Sequence, residues 1–524
     1  MAHMPVFQRR WFMFDFARQR TFDREEFRLF LDGLHRLGYN GLGLYLEGAF
    51  AFDRFPGVIR HGVMTPEDAA WAMEECKNRD MFLFPMTNVV GHMEHFFRQE
   101  RFRDLLMADT VNQLDFLDDR AEQFAMDIVH QYTKYFPCGM IHIGGDETKL
   151  TEENKVPYAK FLAKICDNLL LEGIQPAIWN DMIWMDPELC QYFSRDVFIF
   201  DWSYYGHRPE SMVFFRDLGF KDLVACPCDN SWEGFIHYQR IDGHLKSRTD
   251  IPVRPDEVEA LFEDTAQAGI FGGCLTNWND EKGRNMWGQW SAFARAALYM
   301  NGAITARESC DEKIELVLFG RVTPYTEISH ILQDELPMCP QSMAMRSALF
   351  LPKEIHKLFR MAVENGGKQL YDYVAVAQKV EQKLDSWLPQ SAFENRCHQA
   401  MCGICALLRA SSALLDAFNL YPLYVQAAKI QFEQPDQASH ILLRILGAFR
   451  RSISEIDTYR QIYGKAIAES GHTRNDLMRL SDTIRILQTV VELLQEEADF
   501  IRQIPLVRFE MLLERAVDGV FLPI

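Results

Sequence analysis

The stretch "GMIHIGGDETKL", residues 139–150, decides the fold. A short apolar run ends in two glycines, and two adjacent carboxylates, Asp146 and Glu147, come directly after them. An apolar run without alternation is what a parallel strand covered on both faces looks like. The same theme repeats on either side of it. Before it come "WFMFDF" (11–16), "NGLGLYL" (40–46) and "MFLFPM" (81–86); after it come "IQPAIWN" (174–180), "DVFIFDW" (196–202), "DLVACP" (222–227) and "GIFGGCLTNW" (269–278). Amphipathic segments such as "REEFRLFLDGLHRLG" and "PEDAAWAMEECKNRD" lie between them. Eight strand–helix units predict a (β/α)8 TIM barrel over residues 1–305, with a doubly wound open sheet as the rival.

Beyond residue 305 the strand-like runs nearly vanish. Leu370, Tyr373, Ala377, Val380, Leu384 and Trp387 obey helical spacing, as do Leu477, Leu480, Ile484, Leu487, Val491 and Leu494. Residues 306–524 therefore read as an all-α C-terminal domain whose leucine stripes form a core, although one face could serve a homodimer. The formal net charge of −19 argues against a nucleic-acid or anionic-membrane partner and suits a neutral substrate. No apolar run is read as approaching the ~18 residues that span a bilayer, and the first residues lack the apolar core of a signal peptide. Twelve cysteines in 524 residues form no disulfide framework, so the expected location is cytoplasmic.

A barrel of this kind builds its active site at the C-terminal ends of its strands. Taken in chain order, the eight runs end on or lead into Arg18; Glu47; His92 and His95; Asp146 and Glu147; Trp179, Asp181 and Trp184; Trp202, Tyr204 and Tyr205; Trp232; and Trp278, Asp280 and Glu281. Acids and aromatics meet at one mouth. Flat indole faces with a few carboxylates and one arginine suit a sugar, whose rings offer apolar C–H faces and directional hydroxyls.

Cleaving a glycosidic bond needs a carboxylic acid to protonate the leaving oxygen and usually a second group near the anomeric carbon. Adjacent acids cannot easily flank one bond, because successive side chains diverge. They can divide the work if the substrate carries its own nucleophile, as the acetamido carbonyl of a 2-acetamido sugar does. Glu147 is then the general acid, with a raised pKa to which the Asp146 charge contributes, and Asp146 orients the acetamido N–H.

At these residues the chain resembles glycoside hydrolase family 20, the β-N-acetylhexosaminidases. That family carries H-x-G-x-D-E after the fourth strand, matched by His142, Gly144, Asp146 and Glu147. The resemblance covers about residues 10–300. "MFDFARQRTF" looks like the strand-one motif, which implies that Arg18 binds the 3- and 4-hydroxyls. "VVGHMEH" looks like the P-G-H segment and implies His92 beside the acid. By the match of "AIWNDM" and "NWND", Trp179, Trp202 and Trp278 wall the pocket and Asp280 binds the 4- or 6-hydroxyl. The resemblance implies an N-acetylhexosamine-containing oligosaccharide or glycoconjugate as substrate, and no metal or organic cofactor. Three features depart from the family. The small α/β domain that commonly precedes the barrel has no counterpart here. The chain has "LEGAF" where many members have "TDDQ", leaving Glu47 as a candidate partner of His92. It has Trp232 where many have a tyrosine on the acetamido oxygen, with Tyr204 or Tyr205 as substitutes.

Other readings compete. Asp146 and Glu147 could merely cap the helix after strand four. Arg18 could only pair with a surface acid. His92, Glu94 and His95 could suggest metal ligands, and a metal-dependent barrel hydrolase would use His92, His95 and Asp146. A catalytically degraded, carbohydrate-binding barrel is the third alternative. Cys397, His398, Cys402 and Cys405 look zinc-like but share one amphipathic stretch without a second cysteine pair.

Overall fold

The structure, a computed structural model, describes residues 6–18, 22–58, 63–202, 209–229, 257–278, 286–305, 309–336, 340–364, 372–470 and 474–521. Eight strands lie where the apolar runs predict them: Arg9–Asp15 (β1), Gly41–Tyr45 (β2), Phe82–Met86 (β3), Met140–His142 (β4), Gln175–Trp179 (β5), Phe198–Trp202 (β6), Leu223–Cys226 (β7) and Gly272–Asn277 (β8). All pair in parallel and close into a barrel in chain order. The closing seam sets Trp11 opposite Cys274 and Phe12 opposite Leu275, and it excludes the doubly wound sheet.

Local chemistry explains the connecting helices. The Arg24–Leu37 helix starts at Asp23, whose side chain accepts from the Glu26 N–H, and stops at Gly38, left-handed at φ 85°. Pro66–Lys77 opens with a capping box between Thr65 and Asp68 and a proline in its first turn.

The barrel is filled with rings. Trp11 stacks against Phe198 and Phe200 at 6.3 and 6.0 Å between centroids, and lies 5.1 Å from Phe84. Its neighbour across the ladder has to be small: a Cβ on Gly41 would fall 2.2 Å from the indole. Each such ring, fully buried, contributes on the order of 1.5–3 kcal/mol.

The chain divides into two compact units. The first holds the barrel and continues past residue 305 to Val322, taking in the helix Asp311–Phe319, where the Leu318 carbonyl accepts from Arg36 Nη1 at 2.7 Å. The second is chiefly Thr323–Ile524 and, among the described residues, is helical. Tyr373, Ala377, Val380 and Leu384 are buried on Tyr373–Asp385, as the spacing predicts. On Arg474–Asp499 Leu480, Leu487 and Leu494 are buried, but Val490 rather than Val491 faces the core. One sequence expectation needs correcting. The helical stretch Ala392–Ile430 is long and apolar enough to cross a membrane by length and composition; 72% of its apolar window is buried inside the protein, as a core helix would be.

Candidate active site

The turn after β4 answers why two acids sit side by side. Gly144 and Gly145 take φ of 75° and 94°, and Glu147 takes 48°. Only glycine suits position 144, where a Cβ would fall 1.8 Å from Asn88 Oδ1. Asn88, just past β3, occupies that space. Its Oδ1 accepts from the Gly145 N–H at 2.8 Å and its Nδ2 donates to Asp146 Oδ1 at 2.9 Å. Asp146 is thus turned inward and is 8% exposed, while the Glu147 side chain is 60% exposed. A left-handed glutamate costs about 1–2 kcal/mol, strain of a kind that gathers at functional sites. Neither acid caps a helix, because the next one begins at Lys155.

His92 joins the pair. Its Nε2 lies 3.2 Å from Glu147 Oε2 and 3.7 Å from Asp146 Oδ2, and its own backbone is left-handed at φ 51°. Burial works against a charged His92, but the Glu147 hydrogen bond and the Asp146 and Glu47 charges outweigh it and bring the imidazole up to about 9. The same bond from His92 holds Glu147 below the usual carboxylate range, against its partial burial. This corrects the expectation of a raised Glu147: of the two adjacent acids the one carrying a raised pKa is Asp146, pushed up by burial and by the Glu147 charge, with His92 and Asn88 opposing. Solvent and the imidazolium favour the charged form of an open carboxylate, whereas burial and a neighbouring carboxylate disfavour it.

Two further carboxyls support this core. Glu47, also left-handed at φ 40°, accepts a hydrogen bond from Tyr45 Oη, and burial raises it to about 7 against the Arg18 charge. It acts on His92 through its charge. Asp181, at the start of the short helix after β5, accepts the Glu147 backbone N–H at 2.9 Å. Burial and the Asp146 charge raise it to about 7, while the Glu147 N–H favours its ionised form.

The aromatic side of the mouth is laid out around Trp278, at the end of β8. Its ring lies 5.1 Å from Tyr45 and 6.0 Å from Trp179. The Arg18 guanidinium sits 5.0 Å from Trp278 and 5.5 Å from Tyr45, anchored by Asp15 at 3.3 Å rather than by a surface acid. Trp179 is 2% exposed and packs on His142 at 4.3 Å. Its indole N–H is buried with no hydrogen-bond partner among the described residues. Trp202 is partly exposed at the end of β6. Trp232, Tyr205 and Asp280 lie outside the described residues, as do Tyr204 and Glu281.

Sequence reading missed Asn88, Tyr45 and Asp15. Each stands at or just after a strand end, so the positional rule could have found them; none is a residue type that advertises chemistry. Among the described residues, His92, Asp146 and Glu147 also form a group whose donor atoms all lie within 4.8 Å, close enough to share a cation. His95 is not part of it. It is half-buried against Phe96 and Gly48 with both ring nitrogens shielded from solvent, and burial lowers it to about 3, so it stays neutral. Cys402 Sγ lies 3.7 Å from His398 Nδ1, and among the described residues no third donor joins them in a metal group.

No protein-family model matches the chain, and no curated protein matches it. Solved structures do. A β-N-acetylhexosaminidase from Bacteroides fragilis is 19% identical over 60% of this chain and 69% of that one, with a TM-score of 0.48. The glycoside hydrolase family 20 β-N-acetylhexosaminidase from Streptomyces coelicolor is 16% identical over 62% and 70%, with a TM-score of 0.47. A mutant Streptomyces plicatus β-hexosaminidase in complex with its product, GlcNAc, is 14% identical over 60% and 69%, also at 0.47. Many similar structures are thus of the family that the sequence motifs resemble.

Proposed function

We propose that the protein is a retaining exo-β-N-acetylhexosaminidase that removes terminal β-linked GlcNAc or GalNAc by substrate-assisted catalysis. The observation that carries this reading is the divergence of two neighbouring acids on one histidine: Asp146 inward and held by Asn88, Glu147 outward and open to solvent. That is the division of labour a 2-acetamido substrate requires. Asp146 accepts the acetamido N–H and turns its carbonyl oxygen onto the anomeric carbon. A C1–O bond forms to the acetamido group as the bond to the leaving oxygen breaks, and Glu147 gives that oxygen a proton. Water then attacks C1, returns its proton to Glu147 and reopens the oxazolinium ring with overall retention.

Glu147 needs a proton that the free site places on His92. The sugar supplies the change. Covering the exposed Glu147 side chain removes its water, and desolvation favours the neutral acid, so the shared proton moves along the 3.2 Å contact from His92 to Glu147. Arg18 and Trp278 would grip the ring from its non-reducing side, and the buried Trp179 N–H supplies a donor for a substrate oxygen. The proposal extends to a cytoplasmic enzyme needing no metal or organic cofactor.

A second reading, a metal-dependent hydrolase, is favoured by the His92, Asp146 and Glu147 group. Release of 4-nitrophenol from its β-GlcNAc and β-GalNAc glycosides, with and without EDTA, separates the two. EDTA-insensitive turnover supports substrate assistance, and turnover lost with EDTA supports the metal reading. Binding of N-acetylhexosamine without turnover would leave a sugar-binding barrel.

A further inference from the structure

We propose that Asp181 is the positioning residue of the acid pair, its carboxylate acting as the peg that holds the Glu147 peptide in its left-handed conformation and so keeps Asp146 and Glu147 pointing apart. The catalytic consequence rests on the function proposed above; the structural claim does not.

Three observations carry it. First, the Glu147 N–H does not bond back to its own strand or to a helix. It is received by a side chain 34 positions away, Asp181 Oδ2 at 2.9 Å. Second, Glu147 is a non-glycine residue at φ 48°, a conformation that persists only where the surroundings over-determine it. The turn is already pinned on its other side, where Asn88 takes the Gly145 N–H and Asp146 Oδ1. Asn88 therefore fixes the inward acid, and Asp181 fixes the peptide from which the outward acid departs. Third, Asp181 is itself held on a rigid support, the first residue of the helix after β5. Without this acceptor the peptide can relax, and Glu147 loses its place against His92.

Asp181→Asn and Asp181→Ala separate the possibilities, since the amide keeps an acceptor oxygen and the methyl group does not. Hydrogen exchange of the Glu147 amide, read by fragmentation mass spectrometry, is expected to quicken at least about tenfold in Asp181→Ala and to stay near the wild-type rate in Asp181→Asn. On 4-nitrophenyl β-GlcNAc, Asp181→Ala should lower kcat on the order of 10²-fold with KM within about twofold, and Asp181→Asn should restore most of it. Asp181→Ser, whose shorter hydroxyl cannot span the same gap, replaces the alanine variant should that one fail to fold. Unchanged exchange and unchanged kcat in the folded alanine or serine variant would overturn the proposal. So would a loss that Asp181→Asn does not rescue. If the wild-type protein turns over no glycoside, the functional reading fails while the exchange measurement still decides the role of Asp181.

Discussion

Asp146 and Glu147 are identical in charge and adjacent in sequence, yet their surroundings separate them. Glu147→Gln is expected to lower kcat on 4-nitrophenyl β-GlcNAc by about 10²–10⁴-fold, the range for a lost general acid; an unchanged kcat would remove Glu147 from that role. Asn88→Ala leaves Asp146 buried without its amide donor. A hydrogen bond to a charged group contributes about 1.5–3 kcal/mol to stability, so the loss should appear as a lowered Tm together with a fall in kcat/KM. His92 gives a prediction with a definite sign. Its folded pKa, about 9, lies above the ordinary 6.5, so the native state holds its proton more tightly than the unfolded chain. The resulting stability is complete below pH 6.5 and is lost as pH rises through 9. Thermal melts of wild type and His92→Gln should therefore differ most at about pH 6 and converge by about pH 10. A difference that grew toward alkaline pH would contradict the ion pair.

At the scale of the element, the strand-end turns carry the specificity that the strands do not. The turn after β4 uses two left-handed glycines and a left-handed glutamate to bring Asn88 under Asp146. Gly144→Ala combines an unfavourable φ with a Cβ 1.8 Å from Asn88 Oδ1, so it should cost about 1–3 kcal/mol in urea unfolding and also reduce activity by displacing Asn88. Gly41 on β2 makes the contrasting case. Gly41→Ala would press on Trp11 inside the barrel, and overpacking of this sort also costs about 1–3 kcal/mol, but the strain falls in the packed interior rather than the turns. The turn substitution should then depress kcat beyond its effect on Tm, and the strand substitution should act through Tm alone. These glycines were visible as letters in "GMIHIGGDETKL" and "NGLGLYL", but their purposes were not. The partner atoms come from elsewhere in the chain, Asn88 Oδ1 from just past β3 and the Trp11 indole from β1.

At the scale of the molecule, two compact units with separate cores should give a calorimetric unfolding enthalpy larger than the van't Hoff value, departing from a single two-state transition. The strand order and parallel direction were legible in advance because eight unbroken apolar runs separated by amphipathic helices leave few topologies that bury both sheet faces. The placement of Arg18, His92, Asp146, Glu147, Trp179 and Trp278 at one mouth was legible for the same reason: a closed parallel barrel gathers every strand end on one side. Charge state was not. Sequence proximity suggested that Asp146 would raise Glu147, whereas His92, which belongs to the loop after a different strand, pairs with the Glu147 carboxylate at 3.2 Å and lowers it. Nor could spacing show that Asp181 receives the Glu147 N–H, or that His95 turns away from its neighbour His92 into a buried apolar site. The amino-acid sequence by itself determined the barrel and the set of groups at its mouth, because apolar periodicity and strand-end position are local properties. Only the tertiary structure decided which group holds the proton and which peptide is strained, because desolvation and charge coupling depend on distances that chain order does not contain.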